Sequence, residues 1–402
     1  MIAEQKKETR KHYIDNLRNL TILLLFPVHT FMIWNNFGSR FYIWQGENKI
    51  LSTLIVLVNP WFMPILFVLA GMSARYALEK RTTKEFVIQR VSKLLIPFIS
   101  GMIFLVPFQT LYARRFFDNY EGSLLDNWKY FFTHLTDFSG YDGAFTPGHL
   151  WFILFLLLIS MVTLLLFRFV PYEKLAVSVE KIPIFGVLLL FIPIWLMYYL
   201  GNFGGFSLGK NLALYLIGYY VLSNDLIIEK LERNIKWLAT LCLIGTIMSV
   251  ALYYCFSYYG DLWVNFIGWL SILALLVVGK RFLNKRTGFT EYFNQASYPI
   301  YILHQSILVA LAYYVVQVSN VLLVQIFGIC IGSFLLTVLA YHLIKLIPVV
   351  RKMIGIKGIA FAITVDNIVI GSISIFRQDN IHRLTAELGY YIAEEYIMVC
   401  RL

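Results

Sequence analysis

Charged side chains are scarce in this chain: Asp, Glu, Lys and Arg make up 14% of its 402 residues, while 59% are hydrophobic. Soluble domains carry about 25% charge, and a mean hydropathy of +0.69 rules out water as the main solvent. Cysteine is scarce as well. Cys242, Cys255, Cys330 and Cys400 show no paired spacing, and the first two stand thirteen residues apart on one helical run, beyond disulfide reach. A disulfide framework is excluded. The hydrophobic part also lacks a glycine-rich phosphate loop, a His-x-x-x-His pair, a clustered acidic metal site and a nucleophile elbow, so metal-dependent and serine-hydrolase chemistry have no residues to carry them.

What the chain has instead is apolar runs of membrane-spanning length, about 20 residues each. Ten are expected as helices, near residues 17–36, 51–72, 94–113, 149–167, 182–200, 208–223, 237–258, 261–279, 297–317 and 320–347. The fold class is therefore all-α integral membrane, in a lipid bilayer. The first run is not a cleavable signal, because it is long, ends in Trp34-Asn35-Asn36 and has no small-residue cleavage site. With the N-terminus inside, 25 of the 34 Lys and Arg fall in or beside the N-terminal arm, alternate loops and the segment after the last helix. Six lie opposite (Arg40, Lys49, Arg114, Arg115, Lys129, Lys210), and Arg377, Arg383 and Arg401 belong to the tail. Basic segments resist translocation, so both termini are expected in the cytoplasm of a plasma-membrane protein. The same asymmetry accounts for the net charge of +11 without a nucleic-acid partner. The sequence carries no signal for an oligomeric state.

Two stretches stand apart. The external loop 114–148 places Asp118, Glu121, Asp126, Asp137 and Asp142 among aromatics and glycines. It reads as a solvated connector with an amphipathic helix around Leu124–Leu135, or as a lid over an acceptor site. Composition then changes after Pro348, dividing a membrane domain at 1–350 from a tail at 358–402. The tail's β-branched runs Ile359–Val365 and Ile368–Phe376 flank Asp366-Asn367 as the strands of a hairpin would.

Ionisable groups inside a membrane helix are costly and mark function by default. Asp15, Arg18 and His29 fall on one stripe of the first helix: at about 100° per residue, Arg18 and His29 lie within roughly 20° of each other and Asp15 about 40° from His29. The rise puts His29 roughly 16 Å deeper than Arg18, near mid-bilayer. A neutral imidazole can take a proton from a hydroxyl, and a guanidinium can grip a phosphate. Arg90 and Lys93, three apart at the entrance of the third helix, can serve the same anion, although positive-inside topology explains most of their neighbourhood. His149 begins the fourth helix beside Trp151 on the external side, where a solvated cap is its plainest role. His304, in Ser297-Tyr298-Pro299-Ile300-Tyr301-Ile302-Leu303-His304, lies at a depth similar to that of His29, whereas His342 is expected to pack or meet headgroups.

Taken in order, these parts resemble the acyltransferase 3 family of membrane acyltransferases, in the branch that includes glucan biosynthesis protein C. The residues that carry the resemblance are Arg18 and His29 with ten residues between them, Asn59-Pro60-Trp61-Phe62-Met63-Pro64 leading to Leu69-Ala70-Gly71-Met72, Arg90-Val91-Ser92-Lys93, His149-Leu150-Trp151-Phe152, and Ser297 through His304. The resemblance implies transfer of an acyl group, acetyl or succinyl, from cytoplasmic acyl-CoA to a hydroxyl of an extracytoplasmic carbohydrate or cell-envelope acceptor, with no bound cofactor and no metal. His29 would be the catalytic residue, supported by Arg18 and Asp15. Arg18, Arg90 and Lys93 would contact acyl-CoA, and His149, Trp151, Tyr298 and His304 would border the substrate site. The family's usual second arginine is Lys93 here, which keeps the charge and loses the bidentate fork. The glutamate that some members carry after the Trp of helix four is missing, since Phe152 to Ile159 is apolar. The tail from Phe361 to Tyr396 resembles part of a GNAT N-acetyltransferase, stopping before the loop that would hold CoA, and is read as non-catalytic. The competing reading of the membrane part is a transporter or flippase of a glycolipid or acylated intermediate, because polar residues also line transport paths.

Overall fold

The structure, a computed structural model, describes residues 11–38, 41–203 and 205–356, and the backbone of 360–365, 368–377 and 386–392. Among these, eight helices are long and apolar enough to cross a membrane: His12–Trp34, Lys49–Leu78, Thr83–Phe117, Gly148–Phe169, Ile235–Phe256, Asp261–Phe282, Gly288–Val318 and Leu322–Lys345. Leu208–Leu222 joins Asp225–Arg233 through a 91° bend and makes a ninth if the pair is one span, while Ile184–Tyr198 is apolar but shorter. All ten apolar runs are thus helical, but the fifth and sixth fall short of the full crossings expected of them. In the fifth, Pro193 has no N–H for the Leu189 carbonyl, and the helix divides at Leu190 into Ile184–Leu189 and Phe191–Tyr198. The sixth ends in a wide turn at Gly218–Leu222, after which the Asn224 side chain caps the bent continuation.

Leu243, Ile247 and Phe256 on Ile235–Phe256, and Leu323, Phe327 and Leu335 on Leu322–Lys345, point outwards and are exposed. Helices apolar on the outside as well as the inside bury no hydrophobic face by meeting one another, so shape and close approach decide their packing. Two glycines supply that approach where Lys49–Leu78 crosses Leu208–Leu222. A Cβ on Gly71 would stand 2.0 Å from the Tyr215 carbonyl oxygen, and one on Gly218 would stand 2.3 Å from that of Val68.

Prolines free carbonyls that side chains then take. Pro97 deprives the Lys93 carbonyl of its i+4 donor; the Tyr298 hydroxyl donates to it, and the segment Val91–Leu95 relaxes into a π-helical turn. Pro107 does the same to Ile103, whose carbonyl accepts the Trp128 indole N–H at 3.0 Å. With no water to substitute inside a bilayer, such a carbonyl must be satisfied by protein. Tyr298→Phe is therefore expected to cost about 1–2 kcal/mol, read as an earlier thermal unfolding midpoint in detergent. An unchanged midpoint would show that the carbonyl finds another donor.

Trp128 belongs to Leu124–Thr133, the amphipathic helix of the loop 114–148, capped by the Ser123 hydroxyl. Asn127 pins this helix to the bundle end through the Pro107 carbonyl (2.9 Å) and the Thr110 hydroxyl (3.2 Å), and Arg114 lies between the rings of Tyr120 and Tyr130. The loop is a folded cover rather than a loose connector.

In the tail, Ala360–Val365, Ile368–Arg377 and Ala386–Ile392 form an antiparallel sheet in chain order, with Val365 opposite Ile368 and Arg377 opposite Ala386. Asp366-Asn367 and the stretch from 393 onward, where the acetyltransferase-like reading ends, lie outside the described residues, as do residues 1–10 and Arg40.

Candidate active site

His12–Trp34 carries His29 to the wall of a cavity of about 1280 Å³, whose lining also comes from the helices Lys49–Leu78, Gly148–Phe169 and Gly288–Val318, from Phe203, Phe206 and Leu208 and from the loop cover. The His29 ring stacks on Phe41 (5.8 Å between centroids, 8° between planes) and on His304 (5.2 Å, 30°). Its Nδ1 is enclosed without a hydrogen-bond partner, which leaves Nε2 as the nitrogen that meets the cavity.

His149 is not a solvated cap. It is 5% exposed and lines the same cavity, 5.2 Å from His304 between ring centroids. The reason is the chain before it: Gly148, at φ +50°, folds the incoming loop down beside Gln109 and Tyr42, so the helix begins inside the protein. Two adjacent carbonyls of Gly288–Val318 orient the pair. His149 Nε2 donates to the Ile302 oxygen at 2.7 Å, and His304 Nδ1 donates to the Tyr301 oxygen at 2.6 Å. The Tyr301 hydroxyl returns a bond to the His149 carbonyl. Three imidazoles thus form a row, His29, His304, His149, with His304 fully buried in the middle.

Around them the cavity is aromatic below and acidic at its mouth. Trp151 stacks on Phe206 (4.0 Å, 12°), and Phe41, Tyr42 and Tyr141 form an edge-to-face cluster. Asp118, Asp137 and Asp142 are exposed where the loop borders the opening; among the described residues none of them has an ion-pair partner, and no Lys or Arg lines the cavity. The Ser139 hydroxyl and backbone N–H hold the Asp137 carboxyl below its usual range, so it stays ionised. Burial, with the Asp137 charge second, pushes Tyr141 up to about 12, and burial likewise raises Tyr42 above the tyrosine range, keeping both phenols neutral.

Arg18 lies toward the opposite end of the first helix. It pairs with Asp15 at 3.0 Å and donates to the Ser73 hydroxyl at 3.1 Å. Arg90 is close enough to feel its charge; that guanidinium rests 4.6 Å from the Phe86 ring centroid, with Nε enclosed and unpartnered. Lys93 lies within the π turn that starts directly after Arg90 and changes the angular step, so the one-face spacing of a regular helix does not apply to the pair. Tyr298 is not at the cavity either; its hydroxyl serves the Lys93 carbonyl. Tyr301 and Gln305, one turn apart, line the cavity in its place. Among the described residues, no group of three His, Cys, Asp or Glu is arranged to hold a metal ion.

A bundle of membrane-length helices around a cavity lined by His29 and His149, with Arg18 and Arg90 away from it, defines a multi-pass membrane protein. A family profile for an acyltransferase domain matches residues 11–342, and the chain belongs to the acyltransferase 3 family of membrane acyltransferases. No curated protein and no solved structure matches it.

Proposed function

We propose that this protein transfers an acyl group, acetyl or succinyl, from cytoplasmic acyl-CoA to a hydroxyl of an extracytoplasmic carbohydrate or envelope acceptor, with His29 as the general base. The observation that carries the reading is the position of His29: one ring nitrogen meets a cavity large enough for a sugar, in a helix whose other end holds Arg18 near Arg90. Arginines suit the phosphates of CoA. Aromatic faces stack on sugar C–H surfaces, and carboxylates accept sugar hydroxyls.

The orientation with both termini in the cytoplasm puts the cavity mouth outside and the arginines inside, so donor and acceptor enter from opposite faces. Purified protein in proteoliposomes, given acyl-CoA at the arginine face and a neutral glycan at the other, is expected to release free CoA and form ester-linked glycan. Movement of a glycolipid with acyl-CoA untouched would favour the transporter reading instead. The mouth carboxylates carry a further prediction. Asp118→Asn, Asp137→Asn and Asp142→Asn together are expected to weaken a neutral glycan acceptor about tenfold in KM, through lost charge-assisted hydrogen bonds, with KM for acyl-CoA unchanged. Equal KM for the glycan in variant and parent would separate these residues from acceptor binding.

A further inference from the structure

His304 has no contact with the cavity, yet it stands in the centre of the histidine row with its rings' neighbours 5.2 Å away on either side. Hydrogen-bond bookkeeping fixes what it can do. A carbonyl only accepts, so His304 bonded to the Tyr301 oxygen through Nδ1 carries its proton there and presents a bare lone pair at Nε2. His149 is locked the other way by the Ile302 oxygen, with its proton on Nε2 and a lone pair at Nδ1. Both free nitrogens are enclosed and unpartnered, and so is Nδ1 of His29. Two lone pairs cannot satisfy each other. Of the three, only His29 has a nitrogen free to carry a proton toward another ring.

We propose that His304 is a positioning residue that accepts the Nδ1–H of His29, holding that ring in the tautomer whose Nε2 lone pair faces the cavity. The proposal rests on the reading of His29 as the base. The two rings stand 5.2 Å apart between centroids and 30° from parallel, a stacked arrangement, so the bond requires the His29 ring to turn about its Cβ–Cγ bond until Nδ1 points at His304 Nε2. The chemistry then balances. As the acceptor hydroxyl oxygen bonds to the thioester carbon, its proton passes to His29 Nε2. The C–S bond breaks, and the departing CoA thiolate takes that proton from the same nitrogen, while the Nδ1 proton stays on His29, hydrogen-bonded to His304 Nε2, throughout. Hydrolytic triads use a carboxylate for this task. At the centre of a membrane bundle an ionised carboxylate is costly, and a neutral imidazole with its own proton pinned to a carbonyl gives the same acceptor without a charge.

The test compares two replacements of similar volume in the full-length protein: His304→Gln, whose amide donates to the Tyr301 carbonyl and offers an oxygen to His29, and His304→Met, which can do neither. Met is expected to lower kcat about 100-fold with KM for both substrates nearly unchanged, and Gln to recover about tenfold of that loss. In a His29→Ala background the Met substitution should change nothing further. Equal kcat for Met and Gln, or a Met variant within about threefold of the parent, overturns the proposal. If His29→Ala itself remains active, the base reading falls; if it is inactive while His304→Met is fully active, only the positioning role falls. A second measurement needs no folded variant at position 304: NMR of isotope-labelled histidine in the parent protein should show His29 protonated at Nδ1 and bare at Nε2, and the opposite tautomer overturns the assignment.

Discussion

Alanine at position 29 is expected to lower acyl transfer by about 10³-fold or more, the upper part of the range for a general base, while leaving the protein folded. His29 is half-buried on a cavity wall, and its enclosed Nδ1 has no hydrogen-bond partner in the resting structure. Its removal therefore enlarges an existing space and breaks no bond, and the thermal unfolding midpoint should move little. The loss should appear in kcat with KM nearly unchanged, because a base acts on the transition state and contributes little to ground-state binding. The space left by the ring adjoins a cavity of about 1280 Å³, so added imidazole should restore part of the rate. Acylation at parental rate with normal protein levels would remove His29 from the mechanism.

The second large effect is on folding. Gly71→Leu is expected to abolish the monodisperse protein in detergent, and Gly71→Ala to lower its thermal unfolding midpoint sharply. The cause is that the added Cβ would stand 2.0 Å from a backbone oxygen and 3.0 Å from a backbone nitrogen of the crossing helix, atoms that cannot rotate aside as a side chain can. Overpacking in a close-packed interior typically costs about 1–3 kcal/mol, and here relief requires the two helices to separate, opening the layer that holds Val68 and Tyr215, both fully buried. Gly288→Ala is the control, since nothing lies within 4 Å of a Cβ there. Similar midpoints for the Gly71 and Gly288 alanine variants would show that the crossing tolerates a wider spacing.

The helices were legible because each apolar run needs a continuous stretch of sequence and nothing else. The two shortened ones were not, because their lengths depend on local events that hydropathy does not report: the missing N–H of Pro193 and the wide turn at Gly218. The shared stripe of Asp15 and Arg18 was legible from helical spacing, and the structure makes them an ion pair; a shared depth pointed to His29 and His304, whose rings stand 5.2 Å apart. The resemblance pointed to His149 as a cavity residue, but its burial was not legible from the residues alone, because it depends on a loop folding down over it, which the left-handed Gly148 and its neighbours Gln109 and Tyr42 determine. Phe41 and Tyr42, in a short inter-helix segment, carry no sequence signal for a cavity wall. Tyr301 and Gln305 carried a weak one: they lie four apart beside His304 in an otherwise apolar run.

The short helix Ile184–Tyr198 has a consequence for the surrounding lipid. At about 1.5 Å per residue it rises about 22 Å, against about 30 Å of hydrocarbon, and Ile192 and Leu196 on its outer side are exposed. The bilayer must pinch inward along that one flank or the helix must tilt to shield its ends. Acyl chains of different length would then load this flank unequally, giving the protein a preferred membrane thickness and a fixed orientation toward thinner patches.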